Sequence, residues 1–227
     1  MGKLKIGISL FLFLLITNVS YAQDWANLNR YKDENVEIGL PKPGERRVVF
    51  IGNSITDFWI NNYPKFFLDN DYIDRGISGQ TSPQMLVRFR ADVINLKPAV
   101  VHIMAGTNDI AGNTGPSTLE MIADNIYSMA ELAKANGIKV ILCSVLPVYD
   151  YPWKPGLKPA EKITELNKMI KTYAENHDMI YLDYYSSMVD DRKGMKTEYS
   201  KDGVHPNKAG YIVMMELCSK AINKALE

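Results

Sequence analysis

The chain has few cysteines, only Cys143 and Cys218 among its 227 residues. Two thiols cannot form a disulfide framework, so stability has to come from a packed core. Both lie in apolar sequence, Val140-Ile-Leu-Cys-Ser-Val145 and Met214-Met-Glu-Leu-Cys218, and are expected as buried free thiols without metal-ligand spacing. There is no excess of charge either, with 26 Lys and Arg against 26 Asp and Glu. The lack of a basic stripe argues against nucleic acid as a partner. The lack of a Lys/Arg cluster beside an apolar segment argues against lipid headgroups. Histidine is scarce at three residues, so imidazole chemistry has few candidates. Beyond residue 16 no apolar run is long enough to cross a bilayer. No internal repeat or low-complexity segment occurs.

The first residues differ from the rest. Lys3 and Lys5 precede an apolar run over residues 6–16, and Ser20-Tyr-Ala22 supplies a small-x-small site. That order reads as a secretory signal peptide over 1–22, cleaved after Ala22. The apolar run is short for a membrane anchor, so the product is expected to be exported, periplasmic or extracellular, with no stable membrane anchor. Removing Lys3 and Lys5 leaves the acidic residues two ahead.

Residues 23–45 read as a lead-in segment, a short helix closed by the turn Pro41-Lys-Pro-Gly44. Residues 46–227 then alternate between strand and helix patterns as one domain. Strands are expected at Arg47–Ile51, Tyr72–Ile77, Ala99–Met104, Lys139–Val145 and Met179–Asp183, as compact apolar runs suited to burial on both faces. Helices are expected at 60–70, at Pro83–Leu96 with Ser82 as N-cap, at Ser117–Asn136 stopped by Gly137, at Pro159–Asn176 and at Asn207–Leu226. Five alternating units predict a three-layer α/β/α fold with a five-stranded, parallel, doubly wound sheet in the order 2-1-3-4-5. Ligands bind outside the carboxyl ends of the strands in such sheets, so functional residues should follow strands.

Four polar clusters do follow strands: Gly52-Asn-Ser54-Ile-Thr-Asp57, Gly76-Ile-Ser-Gly79-Gln-Thr81, Gly106-Thr-Asn108-Asp109 and Asp202-Gly-Val-His205. A serine hydroxyl becomes nucleophilic when a base takes its proton. His205 is the candidate base, because histidine titrates across neutral pH. Asp202, three residues earlier, can reach the far ring nitrogen and hold one tautomer. The oxyanion formed on attack needs donors, and the candidates are the backbone N–H groups of Ser54 and Gly79 and the Asn108 amide. His102 sits inside a strand and is expected as a core histidine. His177 closes a helix and is expected in solvent. Asp109, Thr56 and Asp57 are expected to organise loops.

In these blocks the sequence resembles the SGNH/GDSL hydrolases. Ser54, Gly79, Asn108 and His205 match the family's four blocks in order and spacing, over residues ~46–215. The resemblance implies the SGNH hydrolase fold, a serine esterase with the roles just given, Asp202 as the triad acid, and no metal or organic cofactor. The motif Gly-Asp-Ser-Leu reads Gly52-Asn-Ser-Ile55 here. Asparagine at that position occurs in branches that act on carbohydrate esters, so the implied substrate is an O-acetylated carbohydrate or a small-molecule ester. The loop Pro147-Val-Tyr149-Asp-Tyr151-Pro-Trp153-Lys-Pro155 has two readings, which both stand at this point. One is a wall of Tyr149, Tyr151 and Trp153 that binds a sugar ring. The other is a hydrophobic lid packed on the core or a partner subunit. Two rival functions remain: a lysophospholipase or thioesterase for longer acyl chains, and a silent carbohydrate-binding protein.

Overall fold

The computed structural model describes residues 24–227. The expected signal peptide therefore lies outside the described residues. In chain order the elements are α1 (Lys32–Ile38), β1 (Val48–Gly52), α2 (Ser54–Asn62), α3 (Pro64–Leu68), β2 (Tyr72–Gly76) and α4 (Ser82–Asp92). A 3₁₀ turn at Ile94–Leu96, β3 (Val100–Ile103), α5 (Thr107–Ala111), α6 (Leu119–Ala135) and β4 (Lys139–Cys143) follow. The chain ends with α7 (Ala160–Asn176), β5 (Ile180–Leu182), α8 (Tyr185–Met188) and α9 (Lys208–Leu226). The sheet is parallel throughout, in the order β2-β1-β3-β4-β5. This is the architecture the alternating pattern predicts.

Strand side chains alternate between two cores. Val49, Ile51, Val101, Ile103, Val140 and Leu142 pack with Met85 and Phe89 of α4, Ile126 of α6 and Leu166 of α7. Val48, Phe50, Val100, Ile141 and Cys143 pack on the other face with Trp59 of α2, Phe67 of α3, and Tyr211, Met214 and Cys218 of α9. Phe50 is fully buried, edge-on to Trp59 and Phe67. Its truncation to alanine would leave a cavity costing about 3–5 kcal/mol. Both cysteines are buried and unpaired, as expected. Among the described residues no helix is long and apolar enough to cross a membrane.

Three local expectations need correction. The single helix expected over 60–70 is two, and the first starts at Ser54 itself. Asn53 caps it, its Oδ1 accepting the Ile55 N–H at 3.1 Å. The N-cap of α4 is Thr81 rather than Ser82, with the Thr81 N–H donating to Gln84 Oε1 at 3.0 Å in a capping box. Ser82 is instead drawn to Asp109, which accepts from its N–H at 2.8 Å and its hydroxyl at 2.6 Å. Finally, α4 stops at Asp92, and residues 94–96 tighten into the 3₁₀ turn.

Candidate active site

Ser54 occupies the first turn of α2, directly after β1, and is buried. Its Oγ lies 2.9 Å from His205 Nε2. His205 Nδ1 lies 2.7 Å from Asp202 Oδ2. An ionised carboxylate accepts only, so Nδ1 carries the proton and Nε2 is left to accept from the serine hydroxyl. The other Asp202 oxygen accepts the backbone N–H groups of Val204 and His205 at 2.9 and 2.8 Å. Burial raises the Asp202 pKa, but the hydrogen bonds from the His205 ring and from those two N–H groups outweigh it and hold it at about 2. Ser200 braces the same loop. Its hydroxyl lies 2.8 Å from the His205 carbonyl and 3.0 Å from Asp202 Oδ1, and accepts the Gly203 N–H at 2.9 Å.

The expected oxyanion donors sit on neighbouring loops. Gly79 has φ +81° in the turn closed by the Gln80 N–H on the Ile77 carbonyl at 3.2 Å. A positive φ at the third turn position favours glycine. Asn108 lies in the first turn of α5 after β3, and its Nδ2 donates to the Gln80 carbonyl at 2.9 Å. An amide nitrogen carries two hydrogens, so a second donor remains. Asn113 Nδ2 donates to the Gly79 carbonyl at 3.2 Å. Asp57, one helical turn beyond Ser54, accepts from both the N–H and the hydroxyl of Ser78. Asp109 ties the start of α4 to this edge. Burial pushes its carboxyl pKa up against the hydrogen bonds from Ser82.

The three aromatics of the 147–155 loop part company. Trp153 is 47% exposed, with its ring centroid 6.2 Å from that of His205. Tyr151 is fully buried, its hydroxyl donating to the Thr107 carbonyl at 2.8 Å and lying 3.0 Å from Thr107 Oγ1. Tyr151 therefore departs from the sugar-binding reading and follows the other, packing on the core: no part of it is exposed to a substrate, and its buried hydroxyl finds its partner in Thr107. Tyr149 is exposed, with the Arg192 guanidinium 5.3 Å over its ring and Gly194 against its backbone. One aromatic was missed: Phe58, 40% exposed and 5.5 Å from His205 ring to ring. It lies four residues after Ser54 on the same helical face, a signal that a helix started at 60 conceals.

The other histidines are where the sequence puts them. His102 is fully buried, its Nε2 2.9 Å from the Tyr184 hydroxyl, and burial lowers its pKa to about 3. His177 is exposed and stacks on Tyr173. Among the described residues no group of three or more His, Cys, Asp and Glu side chains is placed to hold a metal ion.

A parallel sheet bearing a hydrogen-bonded serine, histidine and aspartate at its carboxyl edge is an architecture of serine hydrolases. The chain belongs to the GDSL-like lipase/acylhydrolase family, whose model matches residues 50–213. It is similar to a solved protein of Bacteroides fragilis assigned as an acylhydrolase, with 54% identity, 91% of this chain and 100% of that chain covered, and a TM-score of 0.89. A GDSL-like lipase of Bacteroides thetaiotaomicron shares 52% identity over 88% of this chain and 98% of that chain, with a TM-score of 0.86. An acetylxylan esterase of Xylanibacter ruminicola is 28% identical over 220 residues, covering 82% of this chain and 45% of that protein. Across the curated relatives it matches, the chain spans between 34% and 78% of their lengths.

Proposed function

We propose that this chain cleaves small acyl groups, acetyl above all, from carbohydrate esters, with Ser54 as nucleophile. The observation that carries the mechanism is the unbroken chain from Ser54 through His205 to Asp202, at 2.9 and 2.7 Å. His205 Nε2 takes the hydroxyl proton as Ser54 Oγ attacks the ester carbonyl. The carbonyl oxygen becomes an oxyanion facing the N–H groups of Ser54 and Gly79 and the free hydrogen of the Asn108 amide. The carbon–oxygen bond to the alcohol breaks, and the alcohol leaves with the proton from His205. Water, deprotonated by the same imidazole, then releases the acyl group from Ser54.

Two observations support a carbohydrate substrate: the exposed Trp153 and Phe58 rings near His205, and the likeness to an acetylxylan esterase. A panel of aryl esters from acetyl to palmitoyl, with Ser54→Ala as control, tests both parts. A maximum at acetyl is expected. A maximum at eight carbons or beyond would establish a lysophospholipase-like or thioesterase-like preference instead. Cleavage unchanged in Ser54→Ala would remove the serine mechanism, and no cleavage above that control would leave a binding protein. We also propose that the protein is exported and loses residues 1–22. N-terminal sequencing of the secreted protein should start at Gln23, and a retained Met1 would refute this.

A further inference from the structure

Gln80 is 3% exposed, and its backbone and side chain are held from several sides. Its Nε2 donates to the Ala26 carbonyl at 2.7 Å. Its Oε1 accepts from Arg88 Nε at 2.6 Å. Its backbone carbonyl accepts from Asn108 Nδ2 at 2.9 Å. Arg88 is itself fully buried, with Nη1 paired to Asp92 at 2.9 Å and Nη2 donating to the Gly52 carbonyl at 3.1 Å. One guanidinium therefore spans the end of β1, two residues before the nucleophile, and the loop that carries Gly79.

We propose that Gln80 is a positioning residue for the oxyanion site, fixing the Asn108 amide through its clamped backbone carbonyl. The inference rests on the role given to Asn108 above. An asparagine amide can occupy its site in two flips that exchange Oδ1 and Nδ2. The Gln80 carbonyl is an acceptor, so it admits only the flip that presents Nδ2 to it. The second Nδ2 hydrogen then has one fixed direction. A donor of fixed direction stabilises developing charge without reorganising during the reaction. The Gln80 side chain is what keeps its carbonyl in place. Its fixed amide spans a rigid guanidinium on one side and the backbone of the lead-in segment on the other. The Ala26 contact makes Trp25 and Ala26 part of the support of the site, since Gln84 Nε2 also donates to the Trp25 carbonyl at 2.7 Å.

The test is a double-mutant cycle on Gln80 and Asn108, read as kcat and KM for an acetyl ester. Gln80→Ala is expected to lower kcat about ten-fold with little change in KM, less than the loss of about 10²-fold or more for Asn108→Ala. In the Asn108→Ala background the Gln80 substitution is expected to cost nothing further, because the amide it positions is gone. A residue that served only folding would impose the same loss in both backgrounds, and that result would overturn the proposal. Should Gln80→Ala fail to fold, Gln80→Glu replaces it. The carboxylate keeps the Arg88 contact and opposes the Ala26 carbonyl, and the same pattern is expected. Unchanged kcat in a folded Gln80 variant, with Asn108→Ala impaired, refutes the positioning role alone. Unchanged kcat in Asn108→Ala refutes the oxyanion assignment and the Gln80 role with it.

Discussion

Asp57 and Ser78 join the helix that begins with Ser54 to the loop that carries Gly79. One Asp57 oxygen accepts the Ser78 N–H at 3.2 Å and the Ser78 hydroxyl at 2.5 Å. This helix and the end of β2 approach so closely that a Cβ on Gly76 would lie 2.1 Å from the Asp57 nitrogen. Replacing Asp57 by alanine frees the Ser78–Gly79 peptide to rotate. Asp57→Ala should lower kcat about ten-fold in steady-state kinetics, as modest misplacement of a donor does. A variant that turns over at the wild-type rate would show that other contacts suffice.

Asp202→Asn would present an amide to His205 Nδ1 and favour the wrong tautomer. A fall in kcat of about 10⁴-fold is expected. The carboxylate, with its pKa held at about 2, stays charged in mild acid. Its hydrogen bonds to the His205 ring and backbone are therefore fully present above the ordinary carboxylate range and are lost only as pH falls toward 2. Heteronuclear NMR of the Asp202 carboxyl across pH 1–5 checks this, and a midpoint near the ordinary value would contradict it.

Trp153→Ala and Phe58→Ala should act on binding. Stacking of about 0.5–1.5 kcal/mol translates to a rise in KM of roughly two- to twelve-fold for an acetylated oligosaccharide. A small aryl acetate should be much less affected by either change. Tyr151→Phe, in contrast, should leave KM alone. Loss of its buried bond to Thr107 should lower stability by about 0.5–1.5 kcal/mol in urea unfolding.

Asp74 is buried on β2 with one oxygen unpartnered. Burial, only partly offset by the Gly76 N–H, pushes its pKa up to about 7. The folded state thus holds a proton that the unfolded chain releases near ~3.9. Stability from this group is full below that value and declines as pH rises to about 7, because the folded form binds more protons across that window. Asp74→Asn should flatten the decline and raise the melting temperature at pH 8. An unchanged slope between pH 4 and 7 would contradict the assignment.

The parts of the molecule legible in the sequence are those encoded locally. Val48–Ile51 and Val100–Ile103 read as buried strands because their apolar runs are short and unbroken. Their ends marked where Ser54 and Asn108 would stand. Asp202 and His205 were legible because three residues of loop suffice to join them. Tyr151 stayed between two readings because composition does not distinguish an aromatic facing outward from one that finds Thr107 inside. The bonds from Asp57 to Ser78 and from Gln80 to Ala26 cross 21 and 54 residues of chain, and no local pattern announces them. Phe58 was hidden by a helix start placed six residues late.

Ser54 and His205 are 151 residues apart, and His205 lies on the segment that leads into α9. Contacts of such separation form only when most of the chain is in place. A chain halted before residue 205 has Ser54 without the imidazole proposed to activate it. Ester turnover is therefore a stringent reporter of completed folding, silent for any population whose last helix has not docked. In refolding, activity should return after the helical signal, and the delay measures the time taken to dock the segment that carries His205 and α9.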